Sequence, residues 1–321
     1  MGLRLVTVNR HTGYLYLMAK LGYEFLVVGG EDWGHMAQRP LPPNVVYVRR
    51  RLKTIDFREV LSVIGHDPLW DLLTLGLVAL KHRIPYIQIF HGRIERSGYY
   101  RTSVYKLIKK LYRHIALKFV QELNLATFVF ISETVRRSWG LEGAVIYPGI
   151  PVDEMMPYTG NRPVLLVVGN DLHREHFDFD LLCRLRTRLP VLVVGRNPRI
   201  PDSKPAGSWE DLRKLYSECR AYLNITREPE DGYNLATLEA MASGMPVITL
   251  KHPTSPIRDG FNGMVGGDLW EIQEKATLLL NDVDLARYLG QNARRTVLER
   301  FSIERFTRDW ESVIRRRRDD G

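Results

Sequence analysis

The sequence predicts an α/β protein of two doubly wound domains, each a parallel sheet covered by helices on both faces, with a central cleft between them. Three observations predict it. Short apolar runs rich in β-branched residues alternate with amphipathic helical stretches along most of the chain. The alternation halts at a loop-rich stretch, Pro148-Gly149-Ile150-Pro151, then Pro157 and Gly160 to Pro163, and restarts beyond it. The length, 321 residues, suits two domains of ordinary size. The boundary divides the chain into 1–155 and 156–302, with 303–321 as a closing helix able to return to the first domain.

Leu3–Val8 reads as the opening strand, Gly13 as a turn and Tyr14 to Leu21 as a helix. Glu24–Val28 and Val45–Val48 read as the second and third strands. Ser62–Ile64 is a short strand before a helix over Leu69–Leu80, and Tyr86–Phe90 is a buried strand ending at His91-Gly92. A long helix, from about Thr102 to Leu123, leads to the strands Thr127–Ile131 and Val145–Tyr147. In the second half, Val164–Val168, Val191–Val194, Ala221–Ile225 and Val247–Leu250 read as strands. Helices over Phe179–Leu189, Trp209–Cys219 and Leu235–Ser243 separate them, and Trp270–Leu280, Asp284–Glu299 and Ile303–Arg318 close the chain. Ligands of such sheets bind at the carboxyl ends of the strands.

Composition narrows the class. Hydrophobic content of 45% and charged content of 26% are those of a soluble globular protein. Cys183 and Cys219 cannot make a disulfide framework and lack metal-ligand spacing, so a reducing compartment is expected. The first residues read as a buried strand rather than a signal peptide, and no run reaches the ~18 apolar residues of a membrane span. A cytoplasmic protein is therefore expected, with room for a peripheral place at the inner membrane face. The net charge of +9 favours anionic partners, although basic solvated helices produce the same balance. No nucleic-acid partner is expected.

The most informative segment runs Arg227-Glu-Pro-Glu-Asp231-Gly232-Tyr233-Asn234-Leu235-Ala-Thr-Leu-Glu239-Ala-Met-Ala-Ser-Gly244-Met-Pro-Val-Ile. A strand ends just upstream, an acidic turn follows, and a helix begins near Asn234 and stops at Ser243 with Gly244 as its cap. The helix N-terminus then lies at the carboxyl edge of the sheet. Its free N–H groups, Gly232 to Leu235, form an anion site suited to a diphosphate. Asp231 and Glu239 would flank that diphosphate, and each carboxylate can accept two hydrogen bonds from adjacent sugar hydroxyls. A nucleotide sugar has sugars on both sides of its diphosphate, so it fits.

Here the sequence resembles family 4 of the retaining GT-B glycosyltransferases. Their hallmark is Glu-x7-Glu within Glu-Gly-Phe-Gly-Leu-x-x-x-Glu-Ala-x-Ala-x-Gly-x-Pro-Val. This chain keeps that spacing, with Asp231 for the first Glu and Asn234 for the second Gly. The resemblance extends to Phe130-Ile131-Ser132-Glu133, to Pro148-Gly149-Ile150-Pro151-Val152-Asp153, to Val167-Val168-Gly169, to Val193-Val194-Gly195 and to Asp259-Gly260-Phe261-Asn262-Gly263. It implies two Rossmann-like domains, with Asp231 holding the donor hexose, Glu239 the ribose, and the Gly232–Leu235 backbone near hexose and phosphates. One departure stands out. The family's Gly-Arg-x4-Lys-Gly becomes Gly169, Asn170, Glu175 and His176, so both phosphate-gripping cations are absent. Arg174, one position from the Lys, is the expected substitute, with His173 and Arg196 as weaker ones.

On the other side, His91-Gly92-Arg93 ends a strand, where the resemblance implies a His-Gly facing the donor sugar. His11-Thr12-Gly13 resembles the family's glycine-containing loop near phosphate or acceptor, so Thr12 and Gly13 are acceptor-side candidates. His66-Asp67 is read only as a cap for the helix after it. The helix over 104–120 carries Lys106, Lys109, Lys110, Arg113 and Lys118 on one face. Val104, Ile108, Leu111, Ile115 and Phe119 form a stripe expected to pack into the domain core. Relatives that act on lipids use such a basic face for peripheral contact with anionic membranes; a solvated face is the plainer alternative.

The sequence thus points to sugar transfer from a UDP- or GDP-sugar to a glycan, lipid or small-molecule hydroxyl. The resemblance implies retention, and catalysis without a divalent metal or other cofactor is expected. His91, Asp231 and Arg174 are the catalytic candidates. Glu239, Gly232, Tyr233, Asn234, Leu235, Gly169, Asn170 and Arg196 are the donor-binding ones. The rivals are a GT-B phosphorylase or epimerase, and a non-catalytic sugar-nucleotide or polyanion binder.

Overall fold

A computed structural model of the chain describes residues 3–33, 39–48, 55–94, 111, 113–227, 233–252 and 254–319. The chain divides into two compact units: Met1–Ala37 with Leu41–Pro148 and Glu304–Gly321, and Gln38–Pro40 with Gly149–Ile303.

The first unit is built on seven strands: β1 (Arg4–Asn9), β2 (Glu24–Gly30), β3 (Val45–Tyr47), β4 (Val60–Gly65), β5 (Tyr86–Phe90), β6 (Thr127–Phe130) and β7 (Ala144–Val145). They pair in the order β3-β2-β1-β4-β5-β6-β7, every pair parallel. β5 is buried at every residue, as a strand covered on both faces must be. Helix α1 (Thr12–Ala19) follows β1 directly. The closing helix α10 (Ile303–Asp319) packs with this unit, where Phe306 meets the Tyr14 ring edge-on at 5.8 Å and Trp310 is fully buried.

The second unit has five parallel strands: β8 (Arg162–Val168), β9 (Val191–Val194), β10 (Cys219–Asn224), β11 (Val247–Leu250) and β12 (Gly263–Gly266), in the order β12-β11-β10-β8-β9. The sequence reading has no strand at β12, because glycine at both ends reads as turn. Gly263 is required there: a Cβ would lie 2.4 Å from the Val247 carbonyl oxygen of the paired strand. Helices α5 (Phe179–Arg186), α6 (Trp209–Glu218), α7 (Leu235–Ser243), α8 (Leu269–Asn281) and α9 (Val283–Arg300) cover the sheet.

The first unit corrects the sequence reading in one important respect. The helix after β4 has a π turn, Leu72–Gly76, leading into α2 (Leu77–His82), and the helix after β5 repeats the device with Arg113–Leu117 leading into α3 (Lys118–Glu122). On the second of these, Leu111, Ile115 and Phe119 are 57–62% exposed rather than in the core. Leu117 and Val120, on the other side of the helix, pack into the hydrophobic cluster instead. Val104, Lys106, Ile108, Lys109 and Lys110 lie outside the described residues. Helix α4 (Glu133–Trp139) completes the unit with a regular start, the Ser132 hydroxyl accepting from the Val135 N–H at 3.1 Å. Among the described residues no helix is long and apolar enough to cross a membrane.

Candidate active site

The donor-side candidates gather at the carboxyl ends of β8, β9 and β10. β8 and β9 end almost in contact. Gly195 has φ +135, and a Cβ there would lie 2.1 Å from the Gly169 carbonyl oxygen, so only glycine closes this junction. The loops beyond are then stitched together. The Asn170 side-chain oxygen accepts from the Arg196 N–H at 2.7 Å, and Asn197 donates to the Gly169 carbonyl at 2.8 Å while accepting from the Leu172 N–H at 2.9 Å. Gly169, Asn170 and Arg196 thus form one crown over the strand ends, with the Arg196 side chain exposed. Arg174 stands at its edge, 63% exposed and paired with Asp171 at 2.8 Å.

Helix α7 starts where local chemistry requires. Asn234 is its cap, accepting from the Thr237 N–H at 3.2 Å and donating to the Thr226 hydroxyl at 3.4 Å. Gly244 ends it in the left-handed region at φ +91, its N–H bonded to Ala240 and Met241 carbonyls. The cap takes the Thr237 N–H, and the N–H groups of Leu235 and Ala236 at the start of the helix have no intrahelical partner. Tyr233 is fixed beside them by an edge contact with Phe301, 4.7 Å between ring centres. Asp231 and Gly232 lie outside the described residues.

Glu239 is inside α7 and buried. One carboxylate oxygen accepts from the Tyr216 hydroxyl at 3.1 Å, and the other is paired with Arg39, whose guanidinium also lies over the Trp209 ring at 4.2 Å. Burial first, and then the Glu239 charge, push the Tyr216 phenol well above its ordinary range, so it stays a donor. A carboxylate has about four acceptor positions, so two remain beyond those engaged by Tyr216 and Arg39. Neither partner of Glu239 was visible in the sequence: Arg39 sits in a loop without a motif, and Tyr216 looks like one more core residue of α6.

In the first unit, Gly13 lies in the first turn of α1, and the buried Thr12 hydroxyl accepts from the Asn9 amide at 3.0 Å. His91, at the end of β5, is half-buried and enclosed by other rings. His11 lies 4.2 Å from it and Tyr14 meets it edge-on at 4.8 Å. Its Nε2 is 2.8 Å from Nδ1 of His66. Asp67 does cap the helix as expected, accepting from the N–H groups of Leu69 at 2.9 Å and Trp70 at 2.8 Å. His66, set aside in the sequence reading, nonetheless belongs with His91. The signal was its position, one residue past β4 as His91 is one residue past the neighbouring β5. Burial pushes His66 down to about 3 and His91 well below the ordinary histidine value, so both rings are neutral at pH 7.

Residues 174–312 match the family of glycosyl transferase-like proteins. A stretch of 127 residues is 33% identical to N-acetyl-alpha-D-glucosaminyl L-malate synthase of Bacillus anthracis, covering 38% of this chain and 30% of that protein. The capsular polysaccharide biosynthesis glycosyltransferase CapM of Staphylococcus aureus is 29% identical over 127 residues, 38% of this chain and 32% of its own. The matched stretch thus spans about a third of the length of these curated relatives. Among solved structures, HepE of Anabaena, in complex with UDP and glucose, superposes with a TM-score of 0.73 at 13% identity, over 97% of this chain and 99% of that one. Sucrose-phosphate synthase of Thermosynechococcus elongatus gives 0.68 at 15% identity, over 99% and 100%. The fold is the GT-B fold of glycosyltransferases.

Proposed function

We propose that this chain is a glycosyltransferase of the retaining family 4 type, moving a sugar from a UDP- or GDP-sugar to an acceptor hydroxyl without a metal. The observation that carries the reading is α7, a helix capped by Asn234 just after β10 that holds the buried Glu239; the acceptor positions of Glu239 not used by Tyr216 and Arg39 would take a ribose diol. The first-turn N–H groups and the positive end of the helix favour the diphosphate. The leaving diphosphate gathers charge as the sugar–phosphate bond breaks, so a nearby cation matters most at that moment. Arg174 and Arg196 are two cations at the crown. A UDP complex of a protein with this fold, HepE, supports the uridine reading.

The test is incubation with a panel of UDP- and GDP-sugars, reading thermal shift and nucleotide release together. One donor should stabilise the protein by ~2.7 kcal/mol at 100 times its dissociation constant. That donor should also release its nucleotide slowly. Arg174→Ala should lower release more than donor affinity. Stabilisation without any release, even with acceptors added, would leave a sugar-nucleotide binder.

We also infer that the enzyme works as a peripheral protein at an anionic membrane face. The observation is the pair of exposed apolar rows: Leu111, Ile115 and Phe119 on one helix, and Trp70, Leu73, Leu77 and Leu80 on the other, the latter 48–64% exposed. The two helices connect β4 to β5 and β5 to β6 in one direction across the sheet, so right-handed crossovers put both on the same face. Single exposed apolar residues are ordinary, but two rows side by side are not. Exposed Lys81, Arg83 and Lys118 lie on or at the ends of these helices, and Lys106, Lys109 and Lys110 precede the second of them in sequence, which favours an anionic lipid surface.

A further inference from the structure

Thr7, His66 and His91 of the first unit form a hydrogen-bonded chain, and one direction makes every contact in it a hydrogen bond. Thr7 Oγ1, on β1, lies 3.1 Å from the Ile64 carbonyl oxygen and 3.0 Å from His66 Nε2. His66 Nδ1 lies 2.8 Å from His91 Nε2. A carbonyl can only accept, a hydroxyl has a single proton, and a neutral imidazole has one N–H and one bare nitrogen. If Thr7 donates to the Ile64 carbonyl, its lone pair takes the His66 Nε2–H. His66 Nδ1 is then bare and takes the His91 Nε2–H, and all three contacts are hydrogen bonds. In the reverse direction Thr7 gives its proton to His66, and the contact with Ile64 is left unmade. Buried polar groups keep their partners, so the first direction holds.

We infer that His66 is a positioning residue that fixes His91 as its Nε2–H tautomer, so that His91 presents bare Nδ1 as a hydrogen-bond acceptor for a substrate hydroxyl. The inference rests on the reading of His91 as a substrate-facing residue and specifies its role: the ring accepts from a sugar or acceptor hydroxyl. The surroundings hold the arrangement still. The Asp71 carboxylate, 2% exposed, takes the N–H groups of His66 at 2.9 Å and Asp67 at 2.8 Å and pairs with Arg10 at 2.8 Å, which pins the turn that carries His66. The His66 and His91 rings lie nearly parallel, 16° between their planes. Burial keeps both rings neutral at working pH, and a neutral ring is what leaves one nitrogen bare. A ring in this state rewards a hydroxyl in the substrate and offers nothing to a methyl ether or a deoxy position.

The experiment reads the tautomers directly. Long-range proton–nitrogen NMR correlation on the full-length, ligand-free protein distinguishes protonated from bare ring nitrogens. His66 and His91 should each appear as a single Nε2–H tautomer. In His66→Leu, His91 should become a mixture of tautomers, and kcat should fall about tenfold while the donor KM stays within about twofold, the scale of one hydrogen bond. His66→Asn, whose amide oxygen can stand where Nδ1 stands, should restore the single tautomer and most of kcat. Thr7→Val should loosen the His66 tautomer, and it carries the test if His66→Leu does not fold. An Nδ1–H tautomer of His91 in the parent protein, or a His91 tautomer unchanged in both His66→Leu and Thr7→Val, would overturn the inference. The tautomer is read without substrate. A parent protein that turns over no donor would therefore fail the proposed function while leaving this result to stand or fall on the spectra.

Discussion

The two units close their sheets with the same junction and then build different surfaces over it. In the first, Gly30 at the end of β2 has φ +92, and a Cβ would lie 2.0 Å from the Asn9 carbonyl oxygen at the end of β1. In the second, Gly195 after β9 stands in the same relation to Gly169 after β8, at 2.1 Å. Each first strand also ends near an asparagine that ties the two ends together: Asn9 donates to the Glu31 carbonyl at 2.8 Å, and Asn170 accepts from the Arg196 N–H at 2.7 Å. Above the common junction, the second unit sets arginines and a capped helix, and the first sets three histidines. The framework is repeated and the side chains set on it are not.

The glycine pair gives the largest expected effect. Gly30→Ala and Gly195→Ala should each destabilise the protein by about 3 kcal/mol or more, from left-handed strain plus a backbone clash. Denaturant midpoints would check this, and a loss in only one of the two would break the equivalence of the junctions. The chemistry above them should separate cleanly. Glu239→Gln should weaken nucleotide binding by roughly 1.5–3 kcal/mol, the range for a hydrogen bond to a charged group. His91→Ala should leave nucleotide affinity nearly unchanged, and titration calorimetry with UDP and GDP would read both. Equal losses in the two variants would mean that the nucleotide does not distinguish the surfaces. The smallest effect belongs to the outer face of the first unit. Replacing Phe119 and Lys118 by Ser should reduce co-sedimentation with anionic vesicles, with about 1 kcal/mol from the lysine. Neutral vesicles should bind less, and salt should weaken the anionic case. Equal recovery on both vesicle types would remove the lipid reading.

The same contrast explains what the sequence disclosed. Helix α7 was legible to the residue because its limits are local: Asn234 caps the helix that follows it, and Gly244 takes a φ of +91 that other residues resist. The alternation of apolar strands and helices sufficed for the two parallel sheets, since strands covered on both faces leave that pattern. The stripe Leu111, Ile115 and Phe119 was misread because a helical period shows that a helix has an apolar side, not what that side meets. Here a π turn intervenes and Leu117 takes the inward place. Arg39 and His66 were missed for a related reason. Their partners, Glu239 and His91, are 200 and 25 positions away, and nothing in local spacing announces them.

The pairing of Arg39 with Glu239 bears on how the molecule can be divided. Residues 38–40 belong to the second unit although they interrupt the sequence of the first. A fragment beginning at Gly149 would contain all five strands of its sheet and the whole of α7, yet it would carry a buried carboxylate without its guanidinium. Removing one partner of a buried pair typically destabilises by 3–5 kcal/mol, a large part of what a domain of this size has in reserve. The second unit is therefore not a portable module. Dissection for expression, or recombination with the corresponding half of a relative, would have to carry the short segment around Arg39 along with it, as a graft from the other side of the chain.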